Sequence, residues 1–172
     1  MSSIESAAGK VALSAAVVAI VLFRSRNIPR EELGLVKPPL GPSLLFIATY
    51  LSWMLATDAA IHWRGPWDWR PWLAAPLIAS IMRVLAVALI GPIAEELIFR
   101  GWFFALLQRR VATPITIAIT AIGWALLHFS YGPTVVGVVI VDGILLGLAR
   151  WKTKSVFTPI AMHALYNLYA IW

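Results

Sequence analysis

Two adjacent carboxylates, Glu95 and Glu96, stand in the segment Ile93-Ala-Glu-Glu-Leu-Ile-Phe-Arg-Gly101, with apolar sequence on either side. The chain has only eight acidic residues, so two together in so apolar a stretch are the first candidates for chemistry. A carboxylate is costly to place in hydrocarbon, and an ionisable group at membrane depth is a functional candidate for that reason. Arg100 follows Glu96 by four residues, one helical turn on and on the same face, which allows a local ion pair. Glu95 then points about 100° around the helix and is free to face something else.

Two further apolar segments also carry polar groups. His128 ends Trp124-Ala-Leu-Leu-His128, and His163 lies one turn before Asn167 in His163-Ala-Leu-Tyr-Asn167, so those two share a helix face. Any one of these side chains alone reads as a buried polar residue stitching helices together. Glu95, Glu96, Arg100, His128, His163 and Asn167 together make most sense if they converge on a wet cavity. There a carboxylate takes a proton from water and aims the water at a carbonyl, while imidazole and amide N–H groups stabilise the oxyanion that develops. Peptide-bond hydrolysis fits these parts.

Other protease chemistries fit poorly. No Gly-x-Ser-x-Gly or Gly-x-Ser-Gly occurs, Ser130 and Ser155 have no nucleophile elbow, and cysteine is absent. Asp142 has no second intramembrane aspartate to form a dyad, because Asp58 and Asp68 fall in a loop. Asp142 itself is expected to hydrogen-bond a neighbouring helix or to serve the cavity, and Arg83 to snorkel or to pair with Asp142. Two histidines and a glutamate are also a donor set for zinc, but no His-Glu-x-x-His is present. A non-catalytic membrane partner, such as an immunity or scaffold protein, is the alternative from another class.

The elements that must position these residues are transmembrane helices. The 172 residues are 60% hydrophobic and 13% charged, with a mean hydropathy of +0.82, more apolar surface than a soluble domain of this size can hide. The expected fold is all-α, a polytopic bundle of about six hydrophobic segments, with a catalytic core of helices around a polar intramembrane cavity. The net charge of +6 lies in loop clusters and reads as a positive-inside signal, which argues against nucleic-acid binding. Nine tryptophans, among them Trp53, Trp63, Trp67, Trp69, Trp72, Trp151 and Trp172, suit interfacial belts.

Val11 to Phe23, extended by Ile4 to Lys10, reads as a retained membrane anchor, since no small-residue cleavage site follows it. Arg24 to Pro39 carries six charges and three prolines and reads as a loop. Further spans are expected at Leu40 to Thr57, Ala112 to Phe129, Thr134 to Ala149 and Val156 to Trp172, with a Trp/Arg/Asp-rich loop over Asp58 to Pro71. Trp72 to Gln108 is too long for a simple crossing, and Gly91-Pro92 should kink or break it. The basic clusters Arg24/Arg26/Arg30/Lys37, Arg109/Arg110 and Arg150/Lys152/Lys154 share one side only if Trp72 to Gln108 crosses once, and that side is expected to be cytoplasmic.

The segment around Glu95 resembles the Glu-Glu-x-x-x-Arg motif of the CPBP (Abi) intramembrane proteases. That family includes the CAAX endopeptidases that trim prenylated proteins, and bacterial bacteriocin-processing or self-immunity proteins. His128 falls at the second motif, usually Phe-x-x-x-His, with Trp124 at the aromatic position. Gly143-Ile-Leu-Leu-Gly-Leu-Ala-Arg150 and Ser155 to Asn167 resemble the later glycine-rich helix and the His-x-x-x-Asn motif. The likeness covers roughly residues 85 to 172, with the motifs in the family's order.

The resemblance implies a metal-independent glutamate protease without a cofactor, acting on a membrane-associated protein or peptide. Carried over position by position, Glu95 would activate water, Glu96 and Arg100 would support and orient it, His128 would position water or the scissile carbonyl, and His163 and Asn167 would form the oxyanion side. Residues 72–172 are expected to form the catalytic core and 1–71 accessory spans and loops. The small chain suits trimming of a C-terminal tail or anchor near the membrane, in a prokaryotic cytoplasmic membrane.

Overall fold

Runs of Leu, Ile, Ala and Val satisfy their backbone polar groups within a single helix, so they fold as helices wherever lipid replaces water. A computed structural model describes residues 3–65 and 70–171, and the described chain is helical, without strands. The helices are α1 (Ser3–Arg24), a short α2 (Arg30–Leu33), α3 (Leu40–Ile61), a short α4 (Arg70–Leu73), α5 (Leu77–Gln108), α6 (Thr113–Leu126), α7 (Pro133–Thr153) and α8 (Phe157–Ile171). Among the described residues, α3, α5 and α7 are long and apolar enough to cross a membrane, and α6 is a shorter apolar helix. Leu40, Leu77, Leu126 and Phe129 are exposed, whereas Glu96, Arg100, Asp142, His163 and Asn167 are buried. Apolar outside and polar inside is the arrangement of a helical bundle solvated by lipid, and the protein is an integral membrane protein.

The long segment is one continuous helix, but it starts at Leu77, not Trp72, because Pro76 precedes it and Arg70–Leu73 forms its own turn. Pro92 does not break it either. Over Ala86–Ile90 the helix widens to a π-turn, and the N–H of Gly91 bonds to Ala86 O, five residues back. Pro92 has no N–H to give, so Val87 O has neither its α-helical partner at residue 91 nor a π-helical one at residue 92. Asn167 Nδ2 on α8 donates to that oxygen at 2.9 Å. A second π-turn, Leu97–Phe103, does the same for Arg100 O. Phe104 N–H bonds to Gly101 O and Phe99 O, and Arg150 Nε on α7 donates to Arg100 O at 2.9 Å. Each π-turn therefore turns a main-chain carbonyl outward to a side chain of a later helix.

α6 and α7 pack closely along their length, which small residues permit. A Cβ on Gly143 would lie 2.9 Å from Cα and Cβ of Ala121, so that position takes only glycine at this spacing. The three basic clusters meet at one end of the bundle: Arg109 pairs with Glu32 at 2.7 Å, and Arg150 Nη2 donates to Glu32 O at 2.6 Å. Ser155 Oγ, beside the last cluster, donates to Val36 O at 2.7 Å. The opposite end is tied by Asp58, which accepts from Arg64 at 2.9 Å and from Tyr169 at 2.5 Å.

Several tryptophans do more than mark an interface. Trp53 donates its N–H to Asp142 inside the bundle, Trp63 packs against Tyr131, and Trp72 lies under Arg83. Arg83 thus stacks on a ring instead of reaching Asp142. Trp151 carries Lys152 and Lys154 over its ring, as an interfacial residue would. Trp67, Asp68, Trp69 and Trp172 lie outside the described residues.

Candidate active site

From the basic end the chain runs back 14 residues from Arg109, just past α5, to Glu95, and forward 15 from Thr113 to His128, just past the end of α6. The two climbs are of similar length, so two helices of opposite direction deliver these side chains to one place. They line one cavity of about 290 Å³, together with Trp124, Tyr131, His163 and Asn167.

The two glutamates are spent differently. Glu96 is fully buried, and its Oε1 accepts from Arg100 Nη1 and lies 2.9 Å from His163 Nδ1. Arg100, also fully buried, gives Nη2 to Gly143 O at 3.1 Å. Glu96 Oε2 and Arg100 Nε have no hydrogen-bond partner among the described residues. Glu95 is half-buried and makes no ion pair among the described residues. Its Oε2 accepts from Trp124 Nε1 at 2.6 Å, and the carboxylate borders the cavity.

Trp124 connects the rest. Its ring meets His128 and His163 edge to face, with centroids 5.1 and 5.2 Å apart, and Arg100 lies over its face at 4.9 Å. His128 Nδ1 is 3.1 Å from Trp124 O, one turn back on its own helix. A carbonyl and a carboxylate only accept, so both histidines carry their proton on Nδ1 and present Nε2 elsewhere. As a neutral ring, each Nε2 is a proton acceptor. An oxyanion can therefore be held by His163 only as an imidazolium. Asn167 spends one amide N–H on Val87 O and keeps the other.

The structure brings the six sequence-derived residues together, with His163 bonded to Glu96. Sequence reasoning missed the N–H of Trp124 as Glu95's partner. The aromatic position four residues before His128 was visible, but the direction of its donor was not. It also missed Tyr131, on the turn Phe129–Tyr131, whose phenol is raised above its ordinary pKa by burial and then by the charge of Glu95. Tyr131 is consequently a neutral donor beside the carboxylate. No three His, Asp or Glu side chains are grouped as metal ligands among the described residues.

No curated protein and no solved structure gives a significant match to the chain. The family described as Rce1-like, type II CAAX prenyl endopeptidase, matches residues 76–169, from just before α5 to near the end of α8, more than half of the chain. The matched stretch carries both glutamates, Trp124, both cavity histidines and Asn167, and the chain belongs to this Rce1-like family of membrane peptidases.

Proposed function

We propose that the protein is a glutamate-type intramembrane endopeptidase that hydrolyses a peptide bond in the C-terminal tail or anchor of a membrane-associated substrate. The observation that carries this reading is the division between the glutamates. Glu96 is consumed by Arg100 and His163, whereas Glu95 faces the cavity with one oxygen fixed by Trp124.

In the proposed reaction Glu95 takes a proton from a cavity water as the water oxygen attacks the scissile carbonyl carbon. The Nε2 atom of His128 accepts the other hydrogen of that water and orients it, and His163, as an imidazolium, donates its Nε2–H to the oxyanion. The remaining Asn167 N–H donates to the oxyanion. The C–N bond then breaks, and Glu95 returns the proton to the departing amine. Asn167 holds Val87 O at the same time, so the π-turn that Gly91 and Pro92 create also positions the oxyanion donor. Residues 72–172 act as the catalytic core in this account and 1–71 as accessory elements. The basic end faces the cytoplasm of a prokaryotic cell.

The test is a comparison of membrane-protein C-termini, by mass spectrometry, in cells making the natural chain or Glu95→Ala. New C-termini that appear only with the natural chain support the reading. Identical sets of C-termini contradict it and favour a non-catalytic partner.

A further inference from the structure

The proposed reaction leaves one buried acidic side chain of the cavity without a task. Asp142 is in the middle of α7, 2% exposed, and it lines the same cavity as Glu95 and His163. Its Oδ1 accepts from Trp53 Nε1 on α3 at 2.8 Å. No protein donor reaches Oδ2 among the described residues, yet Oδ2 is not one of the sealed, partnerless polar atoms, so it opens on the cavity. An acidic group kept at this depth with one oxygen held and the other turned to a cavity is set to receive something.

Charge and ring chemistry say what. Glu96 is neutralised by Arg100, which leaves Glu95 and Asp142 facing the cavity as acidic groups. Lys10, exposed on α1, also borders it but forms no ion pair with either among the described residues. Tyr50, one turn before Trp53 on α3, packs against Tyr166 with ring centroids 6.0 Å apart, and both rings line the cavity. A carboxylate beside aromatic rings is the chemistry that takes up an organic cation, by ion pairing on one side and cation–π attraction on the other. Trp53 and Tyr50 lie outside residues 76–169, so this wall is built partly by an element beyond the family's matched region.

We propose that Asp142, with Tyr50 and Tyr166, forms a cation subsite that takes the ammonium or guanidinium of a substrate lysine or arginine near the scissile bond. This specificity rests on the peptidase reading of the same cavity. The test uses the full chain and Asp142→Asn, which keeps an oxygen for Trp53 and removes the acidic group. Binding of n-butylammonium, read by tryptophan fluorescence in micelles, should be about tenfold tighter to the natural chain than to the variant, with n-butanol showing no such difference. Equal n-butylammonium binding to both proteins overturns the subsite.

Two membrane-anchored peptides differing only by lysine or norleucine at one position give the second readout. The lysine-to-norleucine ratio in kcat/KM should be about tenfold for the natural chain at one position near the cleaved bond and close to one for Asp142→Asn. A ratio near one in the natural chain at every position, or one that Asp142→Asn leaves unchanged, also overturns the subsite. If neither peptide is cleaved, the peptidase reading fails for these substrates, and n-butylammonium binding still decides the subsite.

Discussion

The indole N–H of Trp124 donates to Glu95 Oε2 over 2.6 Å, and the same ring touches His128, His163 and Arg100. One side chain thus contacts four of the six residues singled out in the sequence and fixes the direction of the one that faces the cavity.

Trp124→Phe keeps an aromatic ring at this position and removes the donor. A hydrogen bond to a charged group contributes roughly 1.5–3 kcal/mol, so kcat should fall by about 10–100-fold with KM little changed. Steady-state kinetics on a synthetic peptide check this. An unaltered kcat would mean that Glu95 does not need the indole.

Glu96 is expected to act on stability before chemistry. Glu96→Ala leaves Arg100 buried without its carboxylate, which should cost roughly 3–5 kcal/mol of folding stability. Arg100→Lys keeps a charge but loses the fork that spans Glu96 and Gly143 O, and should also lower the unfolding temperature. Thermal unfolding in micelles decides the matter. Natural stability with activity alone lost would place Glu96 in the chemistry.

At Gly91 a Cβ would lie 2.9 Å from Ala86 O, a backbone atom that cannot swing aside. Gly91→Ala should cost about 1–3 kcal/mol and displace Val87 O from Asn167. Gly137→Ala, where a Cβ meets nothing within 4 Å, is the matched control and should unfold no earlier than the natural chain.

How much of this is visible in the sequence depends on whether local spacing decides it. The Glu96–Arg100 pair follows from a four-residue step on a helix, and the structure forms it. Helix existence follows from apolar runs in the same way. Gly91-Pro92 reads locally as a break, but a π-turn absorbs the proline and hands its free carbonyl to Asn167, 80 residues away in sequence. Trp53 looks like an interfacial residue until α3 packs on α7 and gives it Asp142. His163 bonds to Glu96 and not to Glu95 because helix rotation, which spacing along one helix cannot set, decides which carboxylate it meets.

Tyr131 offers a spectroscopic check on the charge of Glu95. Burial and then that charge raise the phenol pKa, and both favour the protonated form, so the O–H persists past the ordinary value of about 10 and is lost only as pH rises through the raised one. Tyrosinate absorbance, taken as the difference from Tyr131→Phe, should show this late titration. Glu95→Gln should move it part of the way down, since burial remains. No movement would mean that Glu95 carries no charge near Tyr131.

The most direct test of the account is the turnover of purified protein on one peptide, with and without Glu95→Ala, after exhaustive chelation. The natural chain should keep its activity through chelation, and Glu95→Ala should lose about 10²–10⁴-fold in kcat, the usual contribution of a positioned base, while unfolding at the natural temperature. Turnover within a few-fold of natural in Glu95→Ala, or loss of the natural activity on chelation with recovery on adding zinc, would contradict it.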